Sequence, residues 1–143
     1  MKHRITFGRE RVYLWRKREK CQRHPKVFAI LELDGMDQRK SEMPFIAEES
    51  KQLASCSKIK NHIIGVLVND AEFYVIRHYD HWAGDPNMTI SVLFQAIRKL
   101  KKPWPPNLYI QLDNCIKENK NKYVFFICAM LVHFKVFTMV RII

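Results

Sequence analysis

Two aspartates stand where apolar runs end. Val27-Phe-Ala-Ile-Leu-Glu-Leu33 leads into Asp34, and Leu108-Tyr-Ile-Gln-Leu112 leads into Asp113. A strand that is apolar on nearly every residue is usually central and buried on both faces. Ligands of α/β sheets gather at the carboxyl ends of such strands. If the two strands are neighbours, Asp34 and Asp113 share one rim. Paired carboxylates at a rim suit two divalent ions about 4 Å apart, which clamp a phosphate between them. Asp37 is the reserve candidate for the first position. The competing reading is structural, because aspartate often ends a strand and opens a turn.

The charge points to an acidic partner. The chain carries a net charge of +11, with a pI near 9.7. Residues 1–26 contain ten Lys/Arg against Glu10 and Glu19, so most of the excess lies in one N-terminal segment. Arg11, Arg16, Lys17, Arg18 and Lys20 are its candidate nucleic-acid contacts. A basic segment with no base-reading motif implies binding to DNA that is weak, non-specific and salt-sensitive. A solvated helix face that binds nothing is the plain alternative.

Other clusters carry weaker signals. Cys21-x-x-His24 is half of a zinc spacing, and no second pair follows it. Cys115 and Cys128 read as buried thiols, and none of the four cysteines forms a C-x-x-C pair. A reducing, intracellular compartment is expected, nuclear if the chain acts on DNA. The charged N-terminus has no apolar segment of signal-peptide type. His78, Asp80, His81 and Asp85 could ligate a metal, although surface His and Asp explain them more simply. Tyr79, Trp82 and Trp104 flank loops and could stack on bases, or could serve as lids on the core. The four glycines make no phosphate-cradling loop.

These residues need elements to position them. Residues 9–20 read as a helix with Val12 and Trp15 on one face, ended at His24-Pro25. The first strand covers 27–33. Residues 35–44 are polar and read as a loop, and 45–57 fit no single pattern. The runs 62–68 and 71–77 flank Asn69-Asp70 and read as a β-hairpin. Asp85-Pro86 reads as a cap and first turn, followed by a helix whose face is Ile90, Leu93, Phe94, Ile97 and Leu100. A strand over 108–112, a buried helix over 121–134 and a strand over 136–143 complete the order. The apolar stretch 123–143 has membrane-spanning length, but His133, Lys135 and Arg141 argue against a span. Two segments follow: a basic arm and helix over 1–26, and one α/β domain over 27–143.

This order resembles the ribonuclease H-like fold of ribonuclease H, retroviral integrases and cut-and-paste transposases. The expected architecture is a mixed five-stranded sheet with flanking helices. The local motifs are Asp34-Gly-Met-Asp-Gln-Arg-Lys40 before Pro44, and Leu112-Asp-Asn-Cys-Ile-Lys-Glu-Asn-Lys-Asn121. They resemble a group of uncharacterised, transposon-derived proteins of animal genomes, over a stretch from about Arg11 to the last residue. The resemblance implies magnesium-dependent DNA cleavage and strand transfer, with Asp34 and Asp113 as the catalytic and metal-holding acids. In that fold a third acid lies on a helix after the fifth strand. Here the chain stops near the end of that strand, and Glu118 is the remaining acid near Asp113. The resemblance therefore implies a partial domain and an inactive chain. A non-catalytic nucleic-acid-binding or protein-interaction module is the alternative.

Overall fold

A computed structural model describes residues 2–36, 43, 57–79, 86–113 and 121–143. The elements are α1 (Lys2–Arg23), β1 (Phe28–Gly35), β2 (Asn61–Val68), β3 (Glu72–Tyr79), α2 (Pro86–Lys99), β4 (Asn107–Leu112), α3 (Lys122–His133) and β5 (Met139–Ile142). The strands form one sheet in the order β3-β2-β1-β4-β5. β2 runs antiparallel to both β1 and β3, whereas β4 is parallel to β1 and β5. With three flanking helices, this is a mixed α/β sheet of ribonuclease H-like arrangement.

The central strands are apolar on both faces because helices cover both faces. Alternation sends Ala29, Leu31 and Leu33 of β1, with Leu108, Ile110 and Leu112 of β4, into the main core. α2 and α3 cover that side. Ile30 and Tyr109 point the other way and meet Cys21 of α1. The α1 contact row is Leu14, Arg18 and Cys21, a spacing that keeps one helix face on the sheet.

Local chemistry explains the hairpin. Asn69 and Asp70 take φ of 52° and 56°, the left-handed pair of a type I′ turn. The Ala71 N–H donates to the Val68 carbonyl and closes it. Asn69 also extends the sheet: its N–H donates to the Ile30 carbonyl at 2.8 Å, and its Oδ1 accepts from the Ile30 N–H at 2.9 Å. For α3, Asn121 Oδ1 accepts from the N–H groups of Tyr123 and Val124, satisfying two orphan donors of the first turn.

Several expectations are corrected. The first helix is longer than 9–20, and it packs on the sheet rather than standing apart as an arm. Val12 and Trp15, expected as its apolar face, are exposed. Polar and charged stems at Lys17 and Arg18 make part of the docking face instead. The α2 face is shifted by one position: Val92, Leu93, Ala96, Ile97 and Leu100 are buried, whereas Phe94 is exposed. The buried positions 89, 92, 93, 96, 97 and 100 form one helical stripe, and Phe94 falls beside it. Only Val124, Cys128 and Leu131 of α3 are buried, so it is not a helix enclosed all round. No helix among the described residues is long and apolar enough to cross a membrane. The stretch 123–143 is helix, turn and strand.

Candidate metal centre and its basic flank

The β1–β4 register brings the two aspartates together. Leu33 of β1 lies opposite Leu112 of β4, so Asp113 follows opposite Asp34 at the carboxyl ends of adjacent parallel strands. Strand spacing alone sets their backbones about 5 Å apart. Alternation puts both on the α1 side of the sheet, since Leu33 and Leu112 point into the main core. Both are exposed.

The same face carries Glu32 opposite Gln111, one step further into the sheet. Arg18 of α1 clamps Glu32: its Nε donates to Oε1 at 2.6 Å, and Nη2 donates to Oε2. The clamp fixes α1 across the acid-bearing face. The Glu32 carboxylate raises the Arg18 pKa through this hydrogen bond, partly opposed by burial. Asp70 adds a longer contact to Arg18 at 4.0 Å. Gln111 Oε1 is buried without a hydrogen-bond partner, which leaves an oxygen acceptor two residues before Asp113 on the acid-bearing face. Sequence reading missed both Glu32 and Gln111. Their signal was a polar residue alternating inside an otherwise apolar strand.

The basic candidates do not all stay available. Arg18 is committed to Glu32. Lys17 places its ammonium over the rings of Tyr13 and Tyr109, at 4.7 and 5.0 Å. Lys20 lies 3.9 Å over the Phe28 ring. These contacts are internal, although the Lys20 side chain is exposed. Arg11 and Arg16 are exposed on α1. A hydrogen bond from Arg141 of β5 lowers the Tyr13 pKa.

The remaining candidates sort by burial. Cys21 is 2% exposed and belongs to the α1–sheet contact, so its spacing to His24 is helical packing rather than half a zinc site. Burial pushes the Cys21 and Cys128 thiols up to about 11. Trp104 stacks on Phe137 at 5.9 Å and is a core lid. Tyr79 is exposed at the end of β3. His78 stacks on His62 at 4.5 Å across the hairpin. Asp37, Trp82, Cys115 and Glu118 lie outside the described residues, as do Asp80, His81 and Asp85. Among the described residues, no three His, Cys, Asp or Glu side chains group to hold a metal. Among the described residues, the rim holds the two carboxylates of Asp34 and Asp113.

No curated protein and no solved structure matches the chain. Residues 51–143 match a family described as a domain of unknown function, DUF7869. That stretch contains Asp113 and four of the five strands, whereas Asp34 precedes it. The match takes in more than half of the chain, and the chain belongs to the DUF7869 family.

Proposed function

We propose that the chain descends from a ribonuclease H-like transposase and that the Asp34–Asp113 rim is its divalent-metal site. The ancestral reaction is magnesium-dependent cleavage and strand transfer of DNA. The observation that supports this most is the parallel register, in which Asp34 and Asp113 follow paired residues at the ends of two adjacent central strands. The donor set fits the ion, because magnesium takes oxygen ligands and keeps several waters. Bound there, it would supply charge stabilisation at the attacking and leaving oxygens of a phosphodiester. The protein's own part is to aim two carboxylates at one point and to hold a basic helix over the same face. Two carboxylates hold magnesium weakly, so this chain is expected to show no detectable nicking.

The test is a manganese titration read by electron paramagnetic resonance. Weak, saturable binding is expected for the wild type, and Asp34→Asn or Asp113→Asn should each abolish it. Equal binding by all three proteins would refute the site. A non-catalytic nucleic-acid-binding module is the second reading, favoured by the exposed Arg11 and Arg16 on the helix that crosses this face.

A further inference from the structure

α1 covers only part of its side of the sheet. Beyond it, the β2–β3 hairpin presents an exposed row of β3 side chains. Ile64, Val66, Tyr74 and Ile76 face the main core. Alternation therefore turns Phe73, Val75, Arg77 and Tyr79 of β3 to the α1 side. Phe73 is 65% exposed, Val75 59% and Tyr79 46%. The strand partners of this row are Leu67, Gly65, Ile63 and Asn61. None of these eight residues is acidic, and the row's one charge is Arg77.

The row is built rather than incidental. A Cβ on Gly65 would meet Cε2 and Cζ of Phe73 at 3.1 Å, so the bare glycine lets that ring lie across β2. The opposite ring face stays in water. Gly65 is also the strand partner of Asp34, so the ring borders the acid rim. At the far end, Nε and Nη2 of Arg77 both donate to the buried Asn61 Oδ1, at 3.0 and 2.8 Å. Thus anchored, its guanidinium lies 4.8 Å from the centre of the Tyr79 ring. Lys60 is exposed beside Asn61. Successive same-face positions are about 7 Å apart along a strand, so the exposed Phe73 and Tyr79 rings, with an anchored cation between them, line a track of about 20 Å.

We propose that this face of the hairpin is a platform for single-stranded nucleic acid, with unpaired bases stacking on Phe73 and Tyr79 and Arg77 meeting the backbone. The chemistry is that of sequence-tolerant single-strand binding, in which aromatic faces take bases and cations take phosphates. A carboxylate-free row with one fixed cation, in a chain of net charge +11, matches a polyanion that also has flat apolar faces. The inference rests on the reading that the adjoining rim acts on nucleic acid, and it assigns the strand approaching that rim an unpaired form.

The test measures binding of a labelled oligothymidylate and of a duplex by fluorescence anisotropy at low salt. Phe73→Leu and Tyr79→Leu keep apolar cover over the sheet while removing the π-faces, and thermal melting confirms that each variant is folded. The double variant should lose about tenfold or more in oligothymidylate affinity. Its duplex affinity should stay within about twofold, since that binding draws on phosphate charge rather than stacking. Unchanged oligothymidylate affinity in the folded double variant overturns the platform. So does a wild-type chain that dimerises through this face, seen as a dimer in sedimentation that the double variant abolishes without altering oligothymidylate affinity. Manganese binding separates the two proposals. If the leucine variants bind manganese like the wild type while oligothymidylate affinity is unchanged, the platform fails and the rim stands. If the Asp34→Asn protein still binds manganese but the leucine variants lose oligothymidylate, the rim fails and the surface stands as a single-strand binder.

Discussion

At the scale of single residues, the same side-chain type carries different chemistry according to its face. Glu32 and Asp34 are two residues apart on β1 and point to the same side. Glu32 is tied to Arg18 under α1, whereas Asp34 lies at the open rim. Hydrogen bonds to charged partners contribute about 1.5–3 kcal/mol, and this one anchors the helix. Cys21 shows the same dependence on place. Its thiol is held up to about 11 by burial, against an ordinary 9.0. A protonated thiol is unreactive, so neither Cys21 nor Cys128 should alkylate in the folded chain at pH 8. The folded-state pKa is raised, so the stabilisation is complete below about 9 and is lost as pH rises toward about 11. Iodoacetamide labelling mapped by mass spectrometry should find both residues protected until urea is added. Rapid modification of Cys21 without denaturant would show that α1 does not stay docked. From sequence, Cys128 was legible as buried because its neighbours are apolar. Cys21 was not, because its neighbours are charged and only the helix geometry turns it inward.

At the scale of elements, what was legible is what local chemistry decides. The Asn69-Asp70 hairpin, the apolar strands β1 and β4 and the order of elements all follow from turn residues and hydrophobic period. Faces of helices were harder, because they depend on which neighbour each helix meets. α2 offers both Phe94 and Val92 at helical spacing beside Leu93, and the rotation at which the helix meets its neighbours buries Val92 and leaves Phe94 exposed. The acid rim was legible as two strand ends. That those ends are in register depends on long-range pairing, which no local pattern encodes. Asn69 tests how much the turn contributes to that pairing. It adopts a left-handed φ and lends its side chain to the Ile30 N–H of the central strand. Asn69→Ala loses the hydrogen bond and strains the backbone, at a cost of about 2 kcal/mol. Asn69→Gly loses the hydrogen bond but relaxes the turn, so it should cost less. Urea denaturation measures both. Equal loss in the two variants would mean that the side chain, rather than the turn conformation, sets the cost.

At the scale of the molecule, the two sides of the sheet have different surfaces. The α3 side is apolar and leaves Phe125, Phe126 and Phe134 exposed. The α1 side combines the basic helix and the acid rim with the exposed Phe73, Val75 and Tyr79. Under the proposed reading the helix would draw a phosphate backbone by its charge, and the carboxylates would meet it only through a bound divalent ion. The docking of α1 changes how the basic segment should be tested. Deleting residues 1–26 would strip Leu14 and Cys21 from Ile30 and Tyr109, and any weakened binding could then reflect failed folding. Replacing exposed cations avoids this. Arg11→Gln with Arg16→Gln leaves the Arg18–Glu32 clamp intact, so the melting temperature should hold. If both side chains neutralise a phosphate, duplex affinity should fall. The slope of log affinity against log salt should then become shallower by about 1.8, since each neutralised phosphate accounts for about 0.9 of it. Anisotropy titrations across a salt series supply that slope. An unchanged slope in a folded double variant would remove Arg11 and Arg16 as phosphate contacts.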